Sequence, residues 1–375
     1  MVDRTKVLFF GHMANDSLYT SLPPLLPVLA LQYSQSAATL GLIPAAYLMT
    51  ASFLQIGVGY LHDKKRLTIL MPVGLLLGGL SVASIGFAGN YSLIVFLAFL
   101  GGVGSAFFHP IATALSSVSS RRSTSVSFFM TGGDLGLALG SFICSVAVTV
   151  LGLSGTALLF ILPFIASMLS LQTLKHESIA PPSESRSTKN DLKALSMALT
   201  ASFLRATTNV VLLTYLPLYL STKGMAVPLA GGVLTIMILA GAAGMISAGF
   251  FGDRLGKINT VMALLVSSAV FIPFAVMASP EHALLAFPLV GFGLYGAHPL
   301  LVAISHDIMP KNLGMASALM YGFTFGVANL FVPVAGLAVD FSSYETVFLA
   351  LTCLPVTATF IVSKIRLPVS KHTLK

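Results

Sequence analysis

The feature that most constrains this chain is a succession of long apolar segments separated by short polar breaks. A helix that crosses a bilayer needs about 20 predominantly apolar residues. Twelve segments meet this requirement, with approximate limits 7–31, 37–61, 67–88, 92–116, 123–150, 154–174, 194–221, 228–251, 258–278, 283–305, 313–339 and 345–364. The pattern therefore predicts an all-α integral membrane protein with twelve transmembrane helices.

The composition supports lipid as the solvent around most of the surface. Charged residues make up 9% of the chain and apolar residues 56%, whereas a soluble domain is about 25% charged. The net charge of +8 does not indicate a nucleic-acid partner, because the basic residues lie in short loops and not in one patch. Cys144 and Cys353 lie in apolar segments, which predicts neither a disulfide framework nor a metal site. We expect no cofactor.

The basic residues set the expected orientation. If the N-terminus is cytoplasmic, all but two of the 20 Lys and Arg residues face the cytoplasm. The exceptions are Lys223, which faces outward, and Arg205, which falls inside a span. The positive-inside rule therefore predicts that both termini are cytoplasmic. We expect a multi-pass, monomeric protein of the inner or plasma membrane.

The longest break reads KHESIAPPSESRSTKNDLK and is rich in Ser, Pro and charge. Such a composition is typical of a flexible linker. We therefore expect an N-terminal six-helix half over 1–174, a cytoplasmic linker over 175–193 and a C-terminal six-helix half over 194–375.

The two halves repeat one another. GVGSAFFHP ends at His109–Pro110, and GFGLYGAHP ends 189 residues later at His298–Pro299. The loop GYLHDKKR around Asp63 returns as GFFGDRLGK around Asp253, at an offset of 190. Two motifs at nearly one offset indicate a duplication. Six-span repeats with a solute site near the midplane at their interface are a transporter architecture.

Asp16 lies in the middle of the first span, where a charge costs roughly 2.5–3.5 kcal/mol on insertion scales. His12 and Tyr19 share its helical face, at i−4 and i+3, and Asn15 lies alongside. This stripe predicts a proton-titrating site or a substrate contact. The alternative is a buried polar network that fixes helix packing.

Arg205 lies in the middle of the seventh span, with Asn209 one turn on, and the 189-residue offset places it opposite Asp16. Arginine binds carboxylates, phosphates and phosphonates through two parallel hydrogen bonds. Arg205 is therefore predicted to recognise an anionic group or to release Asp16 from an ion pair during transport. The alternative is a permanent salt bridge to Asp16 or Asp134.

Asp134 lies in TGGDLGLALG in the fifth span. It is predicted to carry a proton or to serve as counter-ion to Arg205. The glycines around it are expected to be structural, because they allow close helix contact; they are Gly132, Gly133, Gly136 and Gly140.

His109 and His298 each precede a proline, which frees a backbone carbonyl and bends a helix. Each histidine either satisfies backbone groups at that bend or acts as a proton relay or gate, since imidazole titrates near neutral pH. Asp63, Asp253 and Arg254 lie in predicted cytoplasmic loops, where we expect them to hold the inward gate and not to contact substrate.

Several of these segments resemble a known family. GFFGDRLGK at 249–257 resembles the loop signature of the major facilitator superfamily, and GYLHDKKR at 59–66 resembles its degenerate partner. Segments similar to the fosmidomycin-resistance branch of that superfamily are GHMANDSLYTSLPPLLPVL, LQIGVGYLHDK, GGVGSAFFHP, SFFMTGGDLGLALG and LGMASALMYGFTFGVANLFVPVAGLAVD. Asp134 departs from the branch, where Asn is expected after the paired glycines. The resemblance implies two pseudo-symmetric six-helix bundles, a cavity lined by spans one, four, seven and ten, and efflux.

The resulting functional prediction is a secondary active transporter that moves a small polar or anionic solute by alternating access, with proton-coupled efflux. The sequence has no GxxxxGK[ST] loop, so we do not expect ATP to drive it. Proton-coupled or facilitated uptake of a small organic anion is an open alternative. A non-transporting sensor would need a partner domain, and an enzyme would need a nucleophile motif or metal cluster beside His12 and Asp16; neither is found in the sequence.

Overall fold

The computed structural model describes residues 4–65, 67–116, 122–173, 191–310 and 313–366, and every regular element in these ranges is helical. In the first part of the chain the α-helices are α1 Arg4–Thr20, α2 Leu22–Tyr33, α3 Ala37–Lys65, α4 Leu70–Ser84, α5 Tyr91–Ser116, α6 Arg122–Leu151 and α7 Ile161–Thr173. In the second part they are α8 Leu192–Thr222, α9 Val227–Leu255, α10 Lys257–Met277, α11 Pro280–Ile308, α12 Leu313–Ala318, α13 Thr324–Phe341, α14 Tyr344–Leu351 and α15 Cys353–Val362. The all-α prediction is confirmed.

Each of the twelve predicted segments is mainly helical over its described residues. Ten helical stretches in the described chain are long and apolar enough to cross a membrane. One of them, Phe128–Gln172, is 45 residues long and covers the fifth and sixth predicted spans. A 3₁₀ segment at Gly152–Phe160 joins α6 to α7, and it begins at Gly152, whose positive φ of +63° ends α6.

The first predicted span, residues 7–31, is formed by two consecutive helices. α1 ends at Thr20 and α2 begins at Leu22, with prolines at the start of α2. Pro23 and Pro24 have no backbone N–H to donate to the preceding turn, and their rings crowd it. The helical path of residues 7–31 is therefore interrupted at Ser21.

Contacts divide the chain into two compact units. Unit 1 comprises Met1–Pro182, Val211–Leu239 and Asn329–Tyr344, and unit 2 comprises Ser183–Val210, Ala240–Ala328 and Glu345–Lys375. Unit 1 thus contains the predicted first half together with two segments of the second. The division at the linker stays a prediction, because residues 174–190 lie outside the described chain.

In unit 1, helices α1 and α6 are in direct backbone contact. Three glycines spaced by four residues on α6 face three carbonyl oxygens spaced by four residues on α1. A Cβ atom would lie 2.3 Å from the oxygen of Phe9 if added at Gly132, 2.2 Å from that of Met13 at Gly136, and 2.0 Å from that of Ser17 at Gly140. This is the close helix contact that the glycines predict, and it fixes the depth of α1 against α6.

In unit 2, the core is an apolar cluster formed by α8, α10, α11 and α15. Its fully buried members include Ala201, Leu265, Leu301 and Val362. Lipid is as apolar as these side chains, so close packing of the cluster, and not removal from water, stabilises the contact between these helices. The cluster holds α8 and α11 together, and these are the helices that carry Arg205 and His298.

The path from α12 to α13 passes through a π-helical segment at Leu319–Phe323. The hydroxyl of Thr324 donates to the carbonyl of Met320 in this turn. Such widened turns disturb the regular hydrogen-bond ladder and occur often at functional sites. Here the segment carries Tyr321 towards His298.

The predicted cytoplasmic loops around Asp63 and Asp253 are helical, so their assignment as loops is wrong. Asp63 belongs to α3, with a side chain outside the described set. Asp253 and Arg254 lie in the last turn of α9. Gly256, with φ +84° and ψ +144°, follows α9 in a backbone conformation that favours glycine; α9 runs without a break up to Leu255. The gating role of all three residues stays a prediction.

The α1–α6 contact predicts a position-specific effect of adding one methyl group. We expect Gly136→Ala to lower the free energy of unfolding by about 1–3 kcal/mol, because the backbone must shift to accept the new Cβ. Gly57→Ala is the control, since nothing lies within 4 Å of a Cβ at Gly57; that change should be neutral or slightly stabilising. Melting temperatures in detergent measure both, and equal values for the two variants would contradict this packing.

Candidate functional site

Three titratable side chains of unit 1 converge where α1 faces α5. Nε2 of His12 lies 3.2 Å from Oδ2 of Asp16, and Nε2 of His109 lies 3.3 Å from Oδ1 of the same carboxylate. The Asp16 side chain is 17% exposed and that of His12 is 6% exposed. Both oxygens of one carboxylate are thus paired with a histidine, which compensates a charge inside a spanning helix. We call His12, Asp16 and His109 the carboxylate–histidine cluster.

The second nitrogen of His12 fixes the orientation of the ring. Nδ1 of His12 lies 2.8 Å from the carbonyl oxygen of Phe129 on α6, and the His12 ring stacks on the Phe129 ring with centroids 4.1 Å apart. A carbonyl oxygen only accepts hydrogen bonds, so Nδ1 carries the proton in this contact.

This tautomer leaves one mobile proton between His12 and Asp16. A proton on Nε2 makes the ring an imidazolium that donates to the carboxylate; a proton on Asp16 lets the carboxyl group donate to Nε2. Without either proton, two lone pairs would face one another at 3.2 Å, which is repulsive. The contact therefore holds a proton at one of two buried positions.

Asn15 connects the carboxylate–histidine cluster to α5. Its Nδ2 lies 2.9 Å from Oδ1 of Asp16, 3.1 Å from Oγ of Ser105 and 3.1 Å from Nε2 of His109. An amide nitrogen has two hydrogens for these three partners. When Nε2 of His109 carries no proton it accepts from Asn15, and when it carries one it donates to Asp16. The network thus has two arrangements that differ by one proton.

A close approach from α6 confines the carboxylate–histidine cluster on its other side. A Cβ added at Gly133 would lie 2.6 Å from Cε1 of His12 and 2.9 Å from Oδ2 of Asp16. Asp134, the next residue, is half-buried and interacts electrostatically with both His12 and Asp16. This puts Asp134 beside the cluster, while its role as proton carrier or counter-ion stays a prediction.

Tyr19 continues the predicted stripe one turn beyond Asp16. Its side chain is buried at 8% exposure, and its ring packs on that of Tyr47 with centroids 5.9 Å apart. The stripe is therefore a real face of α1, with its ionisable part at His12 and Asp16 and its aromatic part at Tyr19.

A metal ion is the other species that such a cluster accepts in principle. One ligand atom each from His12, Asp16 and His109 lies within 4.8 Å of the others. The nitrogen–oxygen distances of 3.2 and 3.3 Å fit proton-bridged pairs and also fit two ligands of one metal ion.

In unit 2, Arg205 is buried at 1% exposure in the middle of α8. Nη1 donates to the carbonyl of Leu294, 3.1 Å away, and the guanidinium lies 5.1 Å from the centroid of the Phe325 ring. Nε and Nη2 have no hydrogen-bond partner among the described residues. These two atoms form one edge of the guanidinium. We call it the open edge of Arg205, because no described residue forms a hydrogen bond to it.

His298 on α11 faces the same aromatic ring. Its ring makes edge contacts with Phe325, at a centroid distance of 5.3 Å, and with Tyr321 of the π-helical segment, at 4.6 Å. Both ring nitrogens of His298 and Oδ1 of Asn209 are buried without a hydrogen-bond partner in the described chain. Arg205, Asn209 and His298 therefore supply unsatisfied polar atoms to unit 2; we call them the Arg205 group.

A set of hydrogen bonds that joins α3 to α13 in unit 1 was not predicted from the sequence. The carboxylate of Asp340 at the end of α13 accepts from the backbone N–H groups of Ala37 and Ala38, at 2.7 and 3.0 Å. These N–H groups begin α3 and have no partner within that helix. The hydroxyl of Tyr215 lies within hydrogen-bond distance of the carbonyls of Ala37 and Val332, at 2.9 and 3.0 Å. We call this set the α3–α13 junction.

The predicted site residues thus fall into two groups, one in each unit. His12, Asn15, Asp16 and His109 come together, and Arg205, Asn209 and His298 form the second group. Sequence reasoning missed Ser105, which has the helical spacing to share the face of His109. It also missed Asp340, although this acid ends an apolar segment. The carbonyl of Phe129 carries no signal in a sequence.

The chain is similar to several bacterial proteins. It is 26% identical over 362 residues to the "Fosmidomycin resistance protein" of Escherichia coli (strain K12), covering 92% of this chain and 88% of that protein. It is also 26% identical over 364 residues to the "Uncharacterized MFS-type transporter YfnC" of Bacillus subtilis (strain 168), with the same coverage. The "Cyanate transport protein CynX" of Escherichia coli (strain K12) is 23% identical over 324 residues, covering 84% of each chain.

Solved structures share the fold at low sequence identity. A bacterial homolog of the human lysosomal transporter Spinster, in an inward-facing and unoccupied conformation, superposes with a TM-score of 0.78 at 12% identity and covers 96% of this chain and 95% of its own. The nucleoside transporter NupG superposes with a TM-score of 0.75 at 14% identity and covers 97% of this chain and 99% of its own. These structures support the predicted twelve-helix architecture.

The sequence model described as Major Facilitator Superfamily matches residues 8–296, well over half of the chain. Two of these relatives and NupG are named as transporters or transport proteins, which agrees with the ten long apolar helical stretches of the described chain. The protein therefore belongs to the Major Facilitator Superfamily and is a membrane transporter of a small solute, not an enzyme.

Proposed function

We propose that the protein exports a small polar or anionic solute across the inner or plasma membrane in exchange for protons, by alternating access. The observation that carries this proposal is the carboxylate–histidine cluster. It pairs one buried carboxylate with two histidines at 3.2 and 3.3 Å, within an amide network that has two protonation-dependent arrangements.

The chemistry of the cluster suits a proton carrier. Imidazole changes charge between about pH 5 and 8, which is the range across which a cell maintains a proton gradient. Each pH unit across the membrane supplies about 1.4 kcal/mol per proton. One proton exchanged per solute is then sufficient for about a tenfold solute gradient per pH unit.

Two considerations support export. The relative in Escherichia coli is named for resistance to fosmidomycin, and resistance follows when a drug is removed from the cell. A proton that enters from outside neutralises Asp16 or charges a histidine, which changes the hydrogen bonds of Asn15 to α5. This is a local change at the point where α1 and α5 meet, the two helices expected to line the cavity.

The α3–α13 junction has the properties of an outer gate. The positive-inside assignment puts the start of α3 and the end of α13 on the outer face. The junction consists of a few directional hydrogen bonds to Asp340 and Tyr215, which break without loss of a large apolar area. Glycines make it tight: a Cβ would lie 2.0 Å from the Tyr215 hydroxyl at Gly41 and 2.2 Å from it at Gly336.

Asp16→Asn tests the proton site. Asn keeps the shape of Asp16 and cannot ionise, so the variant should exchange solute for solute across the membrane but not accumulate it against a gradient. In inside-out vesicles with an acidic lumen, the unchanged protein accumulates solute, more so as the lumen is made more acidic. We expect the rate of solute transport by the Asp16→Asn variant to stay constant between about pH 5 and 8.

The matched control is Asp307→Asn, the same chemical change at the end of α11. Asp307 pairs with Lys257 at 2.6 Å and is partly exposed, and such a pair contributes little. The Asp307→Asn variant should keep the pH dependence of transport. A normal pH profile in Asp16→Asn, or transport that requires a divalent cation and ignores pH, would contradict the proton site.

Asp340→Asn tests the gate. It replaces charged acceptors at the start of α3 by a neutral one, which weakens the junction by about 1 kcal/mol and raises its open population about fivefold. The readout is labelling of Ala37→Cys by a membrane-impermeant maleimide added from outside, in a background with Cys144→Ser and Cys353→Ser. Equal labelling rates with Asp340 and with Asn at that position would contradict the gate.

A further inference from the structure

The open edge of Arg205 raises a question of charge compensation in unit 2. A buried cation without a counter-charge is strongly unfavourable. Nη1 of Arg205 is satisfied by the carbonyl of Leu294, which offers a partial charge only. The Phe325 ring at 5.1 Å adds a weaker attraction to the face of the guanidinium. Neither contact occupies the Nε–Nη2 edge.

No described acid of unit 2 is placed to compensate Arg205 within that unit. The described acidic residues of unit 2 all lie in or beside the first or last turn of a helix; they are Asp191, Asp253, Glu281, Asp307 and Glu345. Arg205 lies in the middle of α8. Within this unit its compensation must come from a group that is not part of the described protein chain.

The geometry of the open edge selects the chemistry of that group. Nε and Nη2 present two parallel N–H donors, which fit two oxygens on one atom, as in a carboxylate, a phosphate or a phosphonate. A halide or a neutral carbonyl satisfies only one of the two. The edge therefore favours an oxyanion.

His298 adds a donor for a third oxygen. Arg205 and His298 both contact the Phe325 ring, and a neutral imidazole with unpartnered nitrogens has one N–H to give. A carboxylate uses both its oxygens on the arginine edge, whereas a phosphonate or phosphate head has another. The tetrahedral head is the one that satisfies both residues.

We propose that the Arg205 group is the receptor for the anionic head of the transported solute, with the Nε–Nη2 edge of Arg205 binding two oxygens of a phosphonate or phosphate head and His298 donating to a third. This proposal rests on the transporter function proposed above and specifies its substrate class. Asn209 lies one turn along α8 and offers its unpartnered Oδ1 to a donor group next to the head.

The test uses two small probes that differ only in the head, propylphosphonate and butyrate, with butyramide as the neutral control. Binding to the full-length protein in detergent at constant pH and ionic strength is measured by calorimetry and by the rise in melting temperature. We expect propylphosphonate to bind more tightly than butyrate, and butyramide not to bind.

Two substitutions separate the contributions of the residues. Arg205→Lys keeps the charge and loses the two-donor edge, so it should weaken propylphosphonate binding about tenfold to a hundredfold. His298→Phe keeps the ring contacts and removes the donor, so it should weaken propylphosphonate about fivefold and leave butyrate unchanged. Arg4→Lys is the control, because Arg4 also donates to a backbone carbonyl, that of Leu115, but lies outside the Arg205 group.

The Arg205→Gln variant distinguishes a loss of binding from a loss of folding. It removes an uncompensated buried charge, so its melting temperature without ligand should equal or exceed that of the unchanged protein, and propylphosphonate should no longer raise it. A lower melting temperature in Arg205→Gln would mean that Arg205 is compensated within the protein and would overturn the proposal.

The remaining outcomes separate this proposal from the transporter function. Equal binding by the unchanged protein and Arg205→Lys, or tighter binding of butyrate than of propylphosphonate, overturns the assigned head group. Proton-driven transport of another solute, without binding of either probe, also overturns the assigned head group. That result is consistent with proton-coupled export. Binding as expected without proton coupling supports the receptor and removes the coupled mechanism.

Discussion

Charge compensation among apolar helices is the constraint on which the rest of this structure depends. A charge in a spanning helix is costly enough to be retained only where it has a role or a partner. Unit 1 meets the constraint locally, because both oxygens of Asp16 face histidines. Unit 2 does not, since the open edge of Arg205 has no partner in the described chain. Under the two proposals made above, unit 1 carries the proton site and unit 2 carries the receptor for the anionic head.

The architecture was predictable because it follows from hydropathy and charge alone. Apolar segments of about 20 residues specify spanning helices whatever their neighbours, and the repeated His–Pro and Gly–Asp motifs indicate the duplication. The failures were local. The prolines after Ser21 interrupt the first helix although the segment remains apolar, and Asp253 lies in a helix because α9 ends only at Leu255.

The candidate site was predictable where periodicity determines it. The i, i+4 spacing puts His12 beside Asp16 on one face. The pairing of His109 with Asp16 was not predicted, because the two residues lie on different helices. The contacts of His12 with the Phe129 carbonyl and of Asp340 with the start of α3 join residues 117 and about 300 positions apart. They depend on how helices pack, and no local pattern encodes them. The open edge of Arg205 likewise became visible only once its neighbours were known.

The most direct test of the account records solute and proton movement together in proteoliposomes that contain the purified protein. A gradient of solute is imposed with equal pH on both sides, and a pH-sensitive dye is trapped in the lumen. Proton-coupled exchange predicts that solute flowing down its gradient drives protons in the opposite direction and creates a pH difference. Solute flux with no proton movement, or protons that move in the same direction as the solute, would contradict proton-coupled exchange.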